Sequence, residues 1–299
     1  MKYEFKILNK DQIKVYVSEF RKIEKSIEYP LEDGGNTFRI DHGSDYHTFF
    51  SQQGHKSRFI AIKNNNKVVG TLAVVWKTIK ITNKNYTAIY FSDLKLDSRY
   101  RKKGIIHKLF WHLLKQWPFK KDFKGWDLAY YCAMLKDGKG VEKSFSILNP
   151  ARLASETAIF NIYMVEPEKI GFLEWEETSD KDIKKIINLS SERNEFVFWN
   201  DGKKDIISKE NESVMPLGHL HPQFFINKYS FAHENAINEI SNRDNALACF
   251  AIDSRDKQKI EWLISNDIST ETKCRIFSFS PFSPSLKNSK SLYISTGEI

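Results

Sequence analysis

The stretch from Tyr90 to Leu109 constrains the fold most, because it passes from a strand through a cationic turn into a helix without a break. Residues 86 to 96 alternate and are rich in β-branched and aromatic types, which predicts a half-buried strand. Ile105, Leu109, Leu113 and Leu114 fall at the spacing of one helical face. Between the two lie Arg99, Arg101, Lys102, Lys103 and Gly104. A helix starting near Lys102 leaves its first N–H groups unpaired and carries partial positive charge at that end, so the junction suits a phosphate. Cations there oppose the helix dipole, so they read as a field for a polyanion rather than as helix stabilisers. Gly104, without a Cβ, lets a ligand approach the backbone.

These residues resemble the GNAT superfamily of acyl-CoA-dependent N-acyltransferases. That family's strand, pyrophosphate loop and helix run as an acidic pair, Leu/Ile-x-Val, a short turn, then Arg/Gln-x-x-Gly-x-Gly/Ala. Here Asp93-Leu94-Lys95-Leu96 takes the strand end, and Arg101-Lys102-Lys103-Gly104-Ile105-Ile106 takes the loop. The resemblance spans roughly residues 1–134 and implies an α/β (α+β) fold, a mixed central sheet flanked by helices. It implies acetyl-CoA or another acyl-CoA as co-substrate. The backbone amides of Arg101, Lys102, Lys103, Gly104, Ile105 and Ile106 would cradle its pyrophosphate, and the strand edge at Leu94, Lys95 and Leu96 would pair with its pantetheine arm. Two positions depart from the pattern: Ile106 replaces a small residue, and Ser92 stands where many members carry a glutamate base. Asp93, through a water, and Ser92 are then the catalytic candidates. The family's thiolate-protonating tyrosine has no counterpart in residues 136–150, which leaves Tyr130, Tyr131 and Tyr163 as distant substitutes.

The chain of 299 residues, 41% hydrophobic, has room for two domains, expected at 1–165 and 166–299. A net charge of +8 favours an anionic ligand, yet the lysines are spread along the chain, and no zinc-ligand spacing supports nucleic acid as partner. Cys132, Cys249 and Cys274 are scattered, so no disulfide framework is expected and a cytoplasmic setting fits. No run reaches ~18 apolar residues, so no membrane span is expected. His219 and His221 have metal-like spacing but lack a third ligand nearby, and no metal is expected.

Taken in order, residues 2–8 predict a strand, and residues 11–25 a helix capped by Asp11. A short helix is expected after Ser44. Strands at 58–63 and 67–81 form a hairpin about Asn64-Asn-Asn66, with Gly70 marking a bulge, and residues 126–134 form a central strand. Residues 151–165 predict another strand. Beyond Glu166-Pro167 the pattern partly echoes the opening: a strand at 170–176, a helix from Ser179 with Ile183, Ile186 and Leu189 on one side, a hairpin of 246–253 with 259–264, and a strand at 273–280. A degenerate second GNAT-like unit without the phosphate loop is therefore expected.

Three functions fit this reading. One is an N-acyltransferase acting on a small-molecule or peptide amine by direct attack. Another is an inactive CoA-binding scaffold of the same fold. The third is a basic-patch binder of nucleic acid or phospholipid. His42, His47 and His55, in the expected overhang above the acceptor, have the ordinary pKa of a base.

Overall fold

The computed structural model describes residues 3–30, 37–44, 46–116, 123–135, 150–171, 185–190, 195–199, 204–208, 213–227 and 230–299. The first half contributes β1 (Tyr3–Leu8), α1 (Val17–Glu24), β2 (Tyr29–Pro30), β3 (Thr37–Asp41), α2 (Tyr46–Ser51), β4 (Lys56–Asn64), β5 (Lys67–Ile81), β6 (Lys84–Leu96), α3 (Ile105–Gln116), β7 (Leu128–Met134) and β8 (Ser155–Val165). Then follow α4 (Pro167–Gly171), β9 (Ile186–Asn188), β10 (Val197–Trp199), β11 (Asp205–Ser208), β12 (Val214–Met215) and β13 (Leu217–Leu220). Last come α5 (Gln223–Ile226), α6 (Phe231–Ser241), β14 (Leu247–Asp253), α7 (Lys257–Ser265), β15 (Thr272–Phe279) and β16 (Ser291–Tyr293).

Ten strands form one mixed sheet in the order β1-β4-β5-β6-β7-β15-β8-β14-β13-β10. The β4–β5 and β5–β6 hairpins close through Asn65-Asn66 and Thr82-Asn83, all four with positive φ, the geometry that matches the right-handed twist of paired strands. Two connections are alike: β6–α3–β7 and β13–α6–β14 each join neighbouring parallel strands through a helix. The strand that follows each unit crosses to the other. Thus β15 lies between β7 and β8, and β8 lies between β15 and β14.

On one face of the first half, Ile105, Leu109 and Leu113 of α3 pack on Ile60, Val74, Ile89 and Ala129. The opposite face buries Phe20 and Ile23 of α1, Tyr46, Phe49 and Phe50 of α2, and Leu292 and Ile294 near the chain end. A small sheet, β12-β11-β3-β2, joins the two halves, because β11 pairs antiparallel with β3.

Several local expectations are corrected. Residues 259–264 are helical, not a strand, because the Asp256 side chain accepts from Lys259 N and starts α7. Strand 247–253 therefore has no hairpin partner there and pairs with β8 and β13 instead. Residues 167–171 are helical. Ile186–Asn188, expected on a helix, forms a strand parallel to β16 with Ile187 buried. The rest of the expected 170–189 segments, residues 172–184, lies outside the described residues, as does 136–149. Asp11 makes no cap; Asn9 Oδ1 accepts from the amides of Asp11 and Gln12, and a 3-10 turn over Gln12–Tyr16 precedes α1. After β15 the chain packs back into the core, where Leu292, Ser295, Thr296 and Glu298 are buried.

Gly70 sits between two register shifts, one against β4 and one against β6. An added Cβ would stand 2.7 Å from the Lys95 carbonyl oxygen and 2.9 Å from Leu96 Cδ1. Gly70→Ala is expected to lower the unfolding free energy by about 1–3 kcal/mol in urea titration. Val15→Ala, at a residue 77% exposed, should move it by less than about 0.5 kcal/mol; equal midpoints for the two variants would refute the crowding.

Candidate functional site

The site begins where two strands part. β6 and β7 pair in parallel only from Ala88 with Leu128 to Phe91 with Tyr131. Past Phe91, the β6 residues Ser92 to Leu96 pair with β5 alone, while Cys132 to Met134 pair with β15. A bulge accompanies the parting: Ala73 faces Ser92 and Thr71 faces Lys95, so Asp93 and Leu94 together oppose Leu72. Asp93 has φ +53, a left-handed conformation that aspartate tolerates better than most residues. Its carbonyl accepts from Thr71 Oγ1 at 3.3 Å.

At the open end of the cleft, the turn into α3 lies on the surface. Arg101, Lys102, Lys103 and Gly104 are exposed, and Lys102 and Gly104 have positive φ. Among the described residues, no acceptor lies on the backbone N–H groups of 102 to 106; the first amide recorded as bonded back is Lys108, to Gly104 O. Only part of the charge there is free for a ligand. Arg99 is held by Asp97, whose carboxyl it pulls below the usual range, and Arg101 Nε donates to Leu96 O at 3.3 Å. Lys103 sits 5.1 Å over the Tyr100 ring.

On the α1/α2 face the bulge is tied down by buried charge. Lys95 Nζ lies 2.7 Å from Glu24 Oε1 and 2.6 Å from Asp93 Oδ1. Tyr46 OH donates to the other Asp93 oxygen, and Glu24 also binds the Nδ1 and the backbone N–H of His42. Burial pushes the Glu24 carboxyl up, but His42 and Lys95 outweigh it and hold it at about 2. Burial likewise pushes Lys95 down, and the charges of Asp93, Tyr29 and Glu24 reverse that and raise it. Glu24, His42 and Asp93 offer three donor atoms within 4.8 Å of one another, a spacing that suits a metal. The Lys95 ammonium already occupies the cation position between both carboxylates.

Nearer the point of parting, Tyr90 and Tyr130 stack at 4.7 Å, and burial beside Ser92 and Cys132 pushes the Tyr90 hydroxyl well above its ordinary value. Lys204, from just before β11, buries its amine against the carbonyl oxygens of Thr296 and Ile299, and burial pushes it down to about 8. On the α3 face an apolar cavity of about 110 Å³, open at its mouth, starts at the same point, with Ile89, Phe91, Ala129 and Tyr131 in its wall.

The sequence-based site residues therefore separate into two groups. Arg101 to Gly104 form the exposed turn, and Ile105 and Ile106 open α3, with the Ile105 side chain buried in the core. Leu94 packs beside the α3 face and Leu96 pairs with Gly70, so backbone at the cleft edge belongs to both. The Lys95 side chain faces away from the turn into the ion cluster. Both Asp93 oxygens are engaged, and Ser92 is buried beside Tyr90. Of the histidines, His42 joins the cluster, His47 is buried in α2 and His55 is exposed. His219 binds Thr296 and His221 binds the Ser190 carbonyl. Tyr131 and Tyr163 stack on Phe277 and Phe250 as packing residues. Sequence reasoning missed Glu24, Tyr46 and Lys204. Glu24 had one signal, since it lies four residues after Phe20 on the buried side of α1; Lys204 had none.

No family model matches the sequence, and no curated protein matches it. Solved structures do. Saccharomyces cerevisiae N-myristoyltransferase with bound myristoyl-CoA is similar at a TM-score of 0.54, over 97% of this chain and 84% of that one, with 11% identity. A second structure of it, also with bound myristoyl-CoA, gives 0.51 over 93% and 82%, with 12% identity. A candidate acetyltransferase from Pyrococcus horikoshii gives 0.51 over 97% and 94%, with 12% identity. At such identities the likeness is one of fold: the chain has the mixed α/β architecture of GNAT-like acyltransferases.

The Glu24 carboxyl sits below its ordinary value of 4.5 in the folded chain. Its contribution to stability is thus complete above about pH 4.5 and is lost as pH falls toward 2. Glu24→Gln, which leaves Lys95 with one carboxylate fewer, should be less stable than wild type by about 3–5 kcal/mol at neutral pH. Urea titrations should show this gap closing between pH 4.5 and 2; a gap independent of pH would refute the pairing.

Proposed function

We propose that the chain is an acyl-CoA-dependent N-acyltransferase that moves an acetyl or longer acyl group from the CoA thioester to an amine by direct attack. The observation that carries this reading is the parting of β6 from β7 beside a turn whose backbone N–H groups have no protein acceptor among the described residues. A diphosphate accepts from such amides, and the exposed Lys102 and Lys103 add charge. Among the described residues no strand pairs with Ser92 to Leu96 on the side of β7, and that edge, apart from the Leu96 carbonyl held by Arg101, is then open to the amides of the pantetheine arm, which brings the thioester to the Phe91–Tyr131 end. The neutral amine attacks the thioester carbonyl, and the tetrahedral intermediate collapses by breaking the C–S bond. The proton leaves with the CoA thiol. Orientation of the two reactants supplies much of the acceleration in such a reaction.

Asp93 and Ser92 stand nearest the reacting carbon in this reading. With both oxygens of Asp93 occupied, its part is to fix the bulge and present negative charge, and Ser92 orients the acceptor. The occupied Asp93 also favours a second reading, in which the fold binds CoA without turnover. Residues 166–299 fit a degenerate second unit, supported by the β13–α6–β14 connection. There the turn between strand and helix is filled by Pro222 and α5, and Ser230 and His233 cap α6.

Acetyl-CoA at about a hundred times its Kd should stabilise the fold by about 2.7 kcal/mol, seen as a raised melting temperature. Gly104→Asp, which adds a side chain and a negative charge at a position with φ +69, should abolish that rise; no rise in wild type removes the CoA assignment. Release of free thiol with a panel of amines, amino acids and peptides separates the readings: release above the hydrolysis rate supports transfer, and none supports binding alone.

A further inference from the structure

The apolar cavity has no part in binding CoA or acetyl groups. It is bounded by Phe110, Leu113 and Leu114 of α3, by Phe123 and Trp126 ahead of β7, by Ala151 and Ala154, and by the wall residues at the parting of the strands. No charged side chain lines it among the described residues. Protein interiors seldom leave voids much larger than a water molecule, so an apolar space of this size beside a site is space kept for a ligand. Its position says which part of a ligand. Ile89 pairs with Ala129 and Phe91 with Tyr131, the last pairs before the strands separate, and all four side chains line the cavity. Anything held along the cleft edge with its thioester at that point has the cavity directly ahead on the α3 face. The buried polar groups of Ser92, Tyr90 and Asp93 occupy the other face, which leaves that side to the acceptor.

We infer that the cavity takes the hydrocarbon chain of a long, unbranched acyl thioester; this rests on the acyl-CoA reading above. From Tyr131 the lining runs back past Ala129 on β7 to Trp126 and Phe123 ahead of that strand, farther than an acetyl group reaches. An acetyl group would leave nearly all of it empty. Leu153, 56% exposed, stands at its rim.

The test is isothermal titration calorimetry with CoA and its acetyl, octanoyl and dodecanoyl thioesters, below their micellar concentrations. Affinity should change less than threefold between CoA and acetyl-CoA. It should then rise by up to about fourfold per added methylene, to at least a hundredfold for dodecanoyl-CoA over acetyl-CoA. Leu114→Trp, which fills the cavity from α3 and away from the parting of the strands, should cut dodecanoyl-CoA affinity at least tenfold while acetyl-CoA affinity shifts less than twofold. Ala154→Phe fills it from the opposite wall and gives the same comparison if the first variant does not fold. An affinity that ignores chain length overturns the inference and leaves the CoA reading intact. A rise with length that both variants preserve also overturns it, since the chain then lies elsewhere. Absence of any binding by CoA itself overturns both.

Discussion

The parting of β6 from β7 rests on the Lys95 ammonium held between Glu24 and Asp93. A parallel pair would otherwise continue, because an unpaired strand edge inside a sheet leaves backbone donors and acceptors open. The bulge at Asp93 takes the backbone out of register, and the ion cluster fixes that displaced backbone against α1 and α2. Three buried charges and a histidine are costly to desolvate, by several kcal/mol per ion, and close hydrogen-bonded geometry offsets this. Such an arrangement adds little stability compared with apolar packing of equal volume. What it secures is the geometry, since one conformation of the bulge satisfies all the partners.

The two faces of the sheet at this point differ in kind. Toward α3, the wall is apolar and aromatic, and the turn beside it offers backbone amides at the surface. Toward α1 and α2 lie stacked tyrosines, a serine, thiols and the ion cluster, with Lys204 brought in by the small sheet through which β11 of the second half meets β3 of the first. A ligand lying in the cleft therefore meets an apolar medium on one side and a polar one on the other. Lys77, buried with Glu298 at 2.7 Å, fixes the later residues against β5 and so closes the polar side.

The parts of this arrangement that were legible in the sequence are those set by neighbours along the chain. Asn65-Asn66 declares its hairpin, and the β6–turn–α3 unit declares itself by a change of period across four basic residues. Where tertiary context overrides local preference, the reading failed. Lys257–Ser265 has a weakly amphipathic pattern that a strand shares, and its cap, Asp256, falls in the stretch between the two strands expected there. Ile186–Asn188 has a helical spacing but finds an open edge on β16. The ion cluster was invisible because its members stand at 24, 42, 46, 93 and 95, brought together only by packing. A lysine in the middle of a buried strand, as at 77 and 95, was the one local hint that a carboxylate must arrive from elsewhere.

The exchange of β8 and β15 has a consequence for how the molecule comes into being. Translation delivers β7 and β8 more than a hundred residues before β15, which in the finished protein is wedged between them. Until the ribosome has released Phe279, both older strands carry bare edges facing a gap of one strand's width, with β14 already available on the far side of β8. The nascent chain must keep that slot vacant against rival strands, from itself or from neighbouring chains. The helices that cover the sheet are complete by Ser265, so the slot is roofed before it is filled, and the last main strand enters as a bolt into a lock already built.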